Sequence, residues 1–148
     1  MSSKDQVRDL FSSSATVRRF ATAYKEEAAV SFRDQNLVSR KNFALRLLQN
    51  AVPTGSKILD VGCGAGVFIV ELIQHGYDVW GIDLSEAMIK YARESSGIQR
   101  FRVGDIENLE FADNTFDAVT CLRVIEYLDR GEAALREIWR VLKPGVRL

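Results

Sequence analysis

Three alternate glycines, Gly62, Gly64 and Gly66, stand between the β-type run Lys57-Ile58-Leu59-Asp60-Val61 and the apolar stretch Val67–Ile73. A strand that breaks into glycines and restarts as a helix aims backbone N–H groups and the positive helix end at an anionic group of a ligand. Glycine is needed where such a turn passes through positive φ and where a ligand approaches backbone with no Cβ in the way. A second short strand, Tyr77-Asp78-Val79-Trp80-Gly81-Ile82-Asp83, ends in a carboxylate. Two carboxylate oxygens there suit the two hydroxyls of a ribose. The predicted chemistry is the binding of a nucleotide-like, adenosine-containing cofactor.

The surrounding pattern supplies the elements that must hold these residues. Gly76 ends the first helix as a C′ residue, and Ser85 caps a helix over Glu86–Glu94. A third strand, Gln99–Val103, runs into Gly104-Asp105-Ile106. A fourth, Phe116–Leu122, is followed by Arg123-Val124-Ile125-Glu126-Tyr127-Leu128 and by a helix over Glu132–Leu142 that Lys143-Pro144-Gly145 closes. Strands alternating with helices predict an α/β fold, a parallel sheet doubly wound by helices.

The glycine register bears on which cofactor is bound. A dinucleotide fingerprint, Gly-x-Gly-x-x-Gly, needs its third glycine at position 67, where this chain has Val67. Asp60-x-Gly62-x-Gly64-x-Gly66 instead resembles motif I of the class I S-adenosylmethionine-dependent methyltransferases. Phe116-Asp117-Ala118-Val119 and Leu142-Lys143-Pro144-Gly145 resemble the same family in order and spacing, over about ninety residues from Lys57 to Gly145. Within that family the chain is similar to the small-molecule, type 11-like enzymes.

The resemblance implies S-adenosylmethionine as cofactor, a small-molecule methyl acceptor, and a Rossmann-like sheet in the order 3-2-1-4 preceded by cap helices. It places the methionine part of the cofactor at Asp60, Gly62, Cys63, Gly64 and Gly66, and the ribose at Asp83. Leu84, Met88, Ile106 and Leu122 become apolar neighbours of the cofactor, and Asp105 an acceptor for the adenine amino group. From the cap helices, Tyr24 and Arg40 are candidates to reach the pocket, Arg40 toward the cofactor carboxylate.

Each residue has a plainer reading beside this one. The glycines could serve packing alone, Asp83 could be a helix-entry charge, Asp105 half of a Gly-Asp turn, and Asp60 a structural acceptor. Cys63 and Cys121 read as small apolar fillers, and no Cys/His spacing suits a metal. The single histidine, His75, falls at the end of the first helix, away from the strand ends where ligands bind. No residue stands out as a catalytic base; Glu126 and Tyr127 are candidates only for orienting an acceptor.

The 148 residues suit one compact unit, with 20 basic and 20 acidic side chains and therefore no global attraction to nucleic acid or membrane. Residues 1–50 hold nine Lys/Arg against five Asp/Glu, a weak basic bias. No apolar run is long enough for a membrane span or a signal peptide, and a cytoplasmic location is expected. Helical spacing over 7–11, 15–29 and 37–49 puts Phe11, Val17, Phe20, Ala21 and Tyr24 on one side. It also spreads Leu37, Val38, Phe43, Leu45, Leu47 and Leu48 around a packed face. The organisation predicted is a helical cap over 1–52 and a cofactor domain over 53–148, with strand five only begun at Val146-Arg147-Leu148. Strand four then becomes an apolar edge that recruits a second copy or another chain. Two alternatives to methyl transfer stay open: a cofactor-binding fragment that acts by association, and a nicotinamide-dependent oxidoreductase.

Overall fold

A computed structural model of the chain describes residues 2–23, 32–128 and 131–145. The elements are α1 (Ser3–Leu10), α2 (Ser14–Ala23), α3 (Phe32–Ala51), β1 (Lys57–Val61), α4 (Val67–Gln74), β2 (Asp78–Asp83), α5 (Glu86–Ser96), β3 (Phe101–Val103), β4 (Ala118–Cys121) and α6 (Gly131–Val141). A 3-10 turn spans Ile125–Tyr127. The four strands form one sheet in the order β3-β2-β1-β4, every pairing parallel. That is the expected order, and among the described residues β4 forms one edge.

β1 is central and buried on both faces, as a strand covered by crossover helices must be. Alternation sends Ile58 into a cluster with Leu48, Phe68, Leu72, Val79, Ile89 and Phe101. It sends Leu59 and Val61 into another with Ile82, Phe116, Ile138 and Val141. The winding direction reverses between β1 and β4, which opens a crevice at their C-terminal ends.

The long β3–β4 connection is clamped to α6 by one residue. Arg140 donates to the carbonyls of Phe111 and Leu109, each at 2.8 Å, and pairs with Asp113 and Glu137. Glu137 in turn accepts the Leu109 N–H at 2.7 Å. Asp117 joins two segments in the same way, accepting from the Lys57 N–H at 2.8 Å and from Lys143 Nζ at 2.7 Å.

The packed face of α3 differs from the expected one. Leu37, Val38 and Leu48 are buried, but Phe43 and Leu47 are 56% and 53% exposed. At about 100° per residue, 43 and 47 lie roughly 140° and 100° from Leu48, whereas 41 lies roughly 20° away. Lys41 takes that inward position, 5% exposed, and is paired with Glu71 of α4. Because Leu48 shares its cluster with Ile58, the apolar core runs without a break across the expected boundary at residue 52.

Candidate functional site

After Val61 the chain turns through Gly62, Gly64 and Gly66 at φ of 73°, 52° and 79°. The three glycines serve different ends. A Cβ on Gly62 would stand 2.0 Å from Val124 Cγ2, and one on Gly66 2.7 Å from the Phe101 ring. One on Gly64 would meet nothing within 4 Å. Gly62 and Gly66 therefore let neighbouring layers close on the loop, while Gly64 faces open space.

The expectation that this loop presents free N–H groups needs correction at four of its positions. The Gly62 and Cys63 N–H groups both donate to the Ile82 carbonyl, at 2.8 and 3.0 Å, and Gly66 N–H donates to the Cys63 carbonyl at 3.0 Å. Gly64 N–H donates to Asp83 Oδ2 at 2.9 Å. Three of those donors hold the loop against β2 and the Gly66 N–H closes the loop on itself, which removes all four from any pyrophosphate cradle.

Asp83 closes β2, and its other oxygen, Oδ1, accepts the Ser85 N–H at 2.9 Å. Ser85 caps α5 as expected, its side chain accepting the Met88 N–H at 3.2 Å. Burial raises the Asp83 pKa, opposed by the hydrogen bonds from Ser85 and Gly64. An ionised carboxylate has about four lone-pair sites, so Asp83 retains capacity for two ribose hydroxyls.

Asp60 sits behind the loop, 4% exposed, and accepts from Thr120 Oγ1 at 2.6 Å across the β1–β4 pairing. Burial pushes its pKa up to about 7; the Thr120 hydrogen bond acts against this and the Asp83 charge adds to it. Among the described residues no basic side chain pairs with Asp60 or Asp83. Cys63 is buried beside them and its thiol is pushed well up, chiefly by burial, so it is no nucleophile.

An open cleft lies over the strand ends. The structure brings together there Gly62, Cys63, Gly64, Asp83, Leu84, Met88, Asp105, Ile106 and Leu122, nine of the residues singled out by sequence. Asp60 lines a small adjoining cavity behind the loop, and Gly66 lines neither. Gly66 is a packing glycine against Phe101 and Ala92. Arg40 is exposed on α3 and lies outside the cleft lining, which corrects its expected place at the cofactor carboxylate. Tyr24 lies outside the described residues.

Several cleft residues had escaped the sequence reading. Lys4 reaches from α1 to Asp105 Oδ2 at 2.6 Å and also pairs with Glu107. The signal for α1 was present: Ser2 and Asp5 form a reciprocal capping box. Phe11 packs edge-to-face on Phe20 and Tyr127, and its carbonyl accepts from Ser85 Oγ at 2.9 Å. α1 and α2 thus roof the cleft. Arg123, at φ 65°, and Val124 complete its rim beyond β4.

Residues 59–148 match the family model described as a methyltransferase domain. The chain belongs to this methyltransferase family. It is 36% identical over 131 residues to a malonyl-[acyl-carrier protein] O-methyltransferase of Erwinia pyrifoliae, covering 88% of this chain and 50% of that protein. It is 40% identical over 100 residues to a ubiquinone biosynthesis O-methyltransferase of Xanthomonas oryzae pv. oryzae, covering 64% and 41%. The chain thus spans half or less of these relatives' length. Among solved structures, an S-adenosylmethionine-dependent methyltransferase of Methanosarcina mazei matches with a TM-score of 0.64 at 28% identity, over 68% of this chain and 53% of that one. A magnesium protoporphyrin IX methyltransferase of Synechocystis with bound S-adenosylmethionine matches with a TM-score of 0.77 over 96% and 73%; at 24% identity it speaks to the fold alone.

Proposed function

We propose that this methyltransferase-family chain binds S-adenosylmethionine in the cleft above β1, β2 and β4 and takes part in methyl transfer to a small-molecule acceptor. One observation carries the reading: Asp60 and Asp83 are carboxylates gathered at the glycine loop with no basic partner among the described residues. That electrostatic character fits a cationic ligand and opposes a pyrophosphate. When bound, the cofactor supplies a methyl group already activated on a sulfonium.

The chain's own residues bind, orient and exclude water. Asp83 would accept from the ribose, and Asp105 from the adenine amino group beside the Ile106 side chain. Gly64 leaves room where the methionine part lies, with Asp60 and Cys63 behind it and Met88, Leu84 and Leu122 as apolar walls. Phe11, Phe20 and Val7 close the roof, and such closure strengthens every charge interaction beneath it. In this reading residues 1–52 supply the cap and 53–148 the cofactor domain. Free cysteines at 63 and 121 fit a reducing, cytoplasmic setting.

The test is thermal unfolding with S-adenosylhomocysteine and, separately, NADH. A concentration-dependent rise in Tm with the first alone is expected. A rise with NADH alone would overturn the reading in favour of an oxidoreductase.

A further inference from the structure

Arg123 is the cleft residue that cofactor binding leaves unexplained. It follows β4, in the left-handed backbone region at φ 65°, where a long side chain is uncommon and costs conformational energy. Its side chain is 19% exposed and borders the cleft. Nε donates to Glu126 Oε1 at 2.9 Å, which orients the guanidinium. Among the described residues its two terminal nitrogens, Nη1 and Nη2, have no hydrogen-bond partner. The cleft's other cation, Lys4, is already matched by Asp105 and Glu107.

A second observation points the same way. Beside Arg123, the titratable side chains lining the cleft are Lys4, Cys63, Asp83, Asp105 and Tyr127. Lys4 is held in two ion pairs, and Cys63 is buried with its thiol pushed up. Both oxygens of Asp83 accept backbone N–H groups, and Asp105 is bound by Lys4 and by the Glu107 N–H at 3.0 Å. His75 caps the far end of α4 and does not line the cleft. The described cleft offers no imidazole and no unengaged carboxylate to take a proton from a phenol or alcohol.

We propose that the methyl acceptor is a carboxylate and that Arg123 is the residue that anchors it. This rests on the methyltransferase reading above. The two terminal nitrogens of a guanidinium match two carboxylate oxygens in a planar, charge-assisted pair. A carboxylate also removes the need for a base. One of its oxygens forms a bond to the methyl carbon while the carbon–sulfur bond breaks and its electron pair stays on sulfur. An anion and a sulfonium become a neutral ester and a neutral thioether, and no proton moves. The apolar walls, with Val7, Phe11, Phe20 and Val124, suit a hydrophobic body behind the carboxylate.

The probes are 3-phenylpropionate, its neutral methyl ester and 4-propylphenol, titrated into the full chain with and without S-adenosylhomocysteine. The readout is the NMR signal of the Arg123 Nε–H, which a purely structural arginine would not shift. The carboxylate should move that signal saturably, and the ester and the phenol should bind at least tenfold more weakly. Arg123→Gln should weaken carboxylate binding at least tenfold. Arg123→Gly, which relieves the left-handed backbone, should do the same and serves if the glutamine variant misfolds. Equal binding of the ester or phenol, or unchanged carboxylate binding in a folded variant, overturns the proposal. Failure of S-adenosylhomocysteine to bind while the carboxylate still engages Arg123 would instead sink the methyltransferase reading and leave the anion site standing.

Discussion

Gly64 and Asp83 are hydrogen-bonded to each other, the glycine N–H donating to the Asp83 carboxylate at 2.9 Å across nineteen residues of sequence. The loop and the carboxylate that ends β2 are therefore one unit. Displacing either moves the other.

Asp83→Ala releases the loop and, on the proposed reading, removes the acceptor for the two ribose hydroxyls. Affinity for S-adenosylhomocysteine should fall by about 1–3 kcal/mol, the range for charge-assisted hydrogen bonds. Titration of wild type and variant measures this, and equal dissociation constants would take Asp83 out of the ribose site.

Gly64 and Gly66 should separate binding from stability. At Gly66 a Cβ meets the Phe101 ring at 2.7 Å in a left-handed backbone, so Gly66→Ala should cost roughly 2–4 kcal/mol of folding free energy. Gly64→Val meets open space in the fold but fills the cleft, so it should lose cofactor affinity and cost only about 1–2 kcal/mol of stability. Urea unfolding and ligand titration on the two variants read both quantities. A Gly66→Ala variant as stable as wild type would contradict the packing role.

Asp60 should make stability depend on pH. Its folded-state pKa of about 7 lies above the usual 3.8, so between those values the folded chain holds a proton that the unfolded chain has lost. Stability contributed at this site is then full below about pH 4 and declines as pH rises toward 7, flattening beyond. Asp83, also raised by burial, adds a slope of the same sign. Denaturant midpoints from pH 4.5 to 8 should show Asp60→Asn with a shallower decline than wild type; identical slopes would remove Asp60 as the source.

The Lys41–Glu71 pair should be asymmetric. The Lys41 side chain is 7% exposed and that of Glu71 25%. Glu71→Ala strands a buried ammonium and should cost about 3 kcal/mol, while Lys41→Met leaves a carboxylate that can turn to water and should cost about 1. Melting curves of the two variants would show equal losses if the pair were solvent-screened.

The central strands were legible because β1 and β2 are short apolar runs that end at Val61 and Asp83, as their sequences predict. The grouping of Asp83 and Asp105 at one cleft followed, since a parallel sheet with this order brings the end of β2 and the segment after β3 to the glycine loop. The role of Gly66 was not legible, because a positive-φ glycine facing Phe101 and one facing a ligand look alike in one dimension. Lys41 and Phe43 misled for a different reason. An inward lysine is tolerated only because Glu71, thirty residues away, meets it, and hydrophobicity alone turns Phe43 inward. Arg123 carried no sequence signal: its backbone conformation and its place on the rim come from the turn after β4.

The most direct test of the account is calorimetric titration of the 148-residue chain with S-adenosylhomocysteine. Saturable binding at one site per chain, weakened in Asp83→Ala, is the predicted result. Saturable binding that Asp83→Ala leaves unchanged, or no heat of binding from a chain shown to be folded, would contradict it.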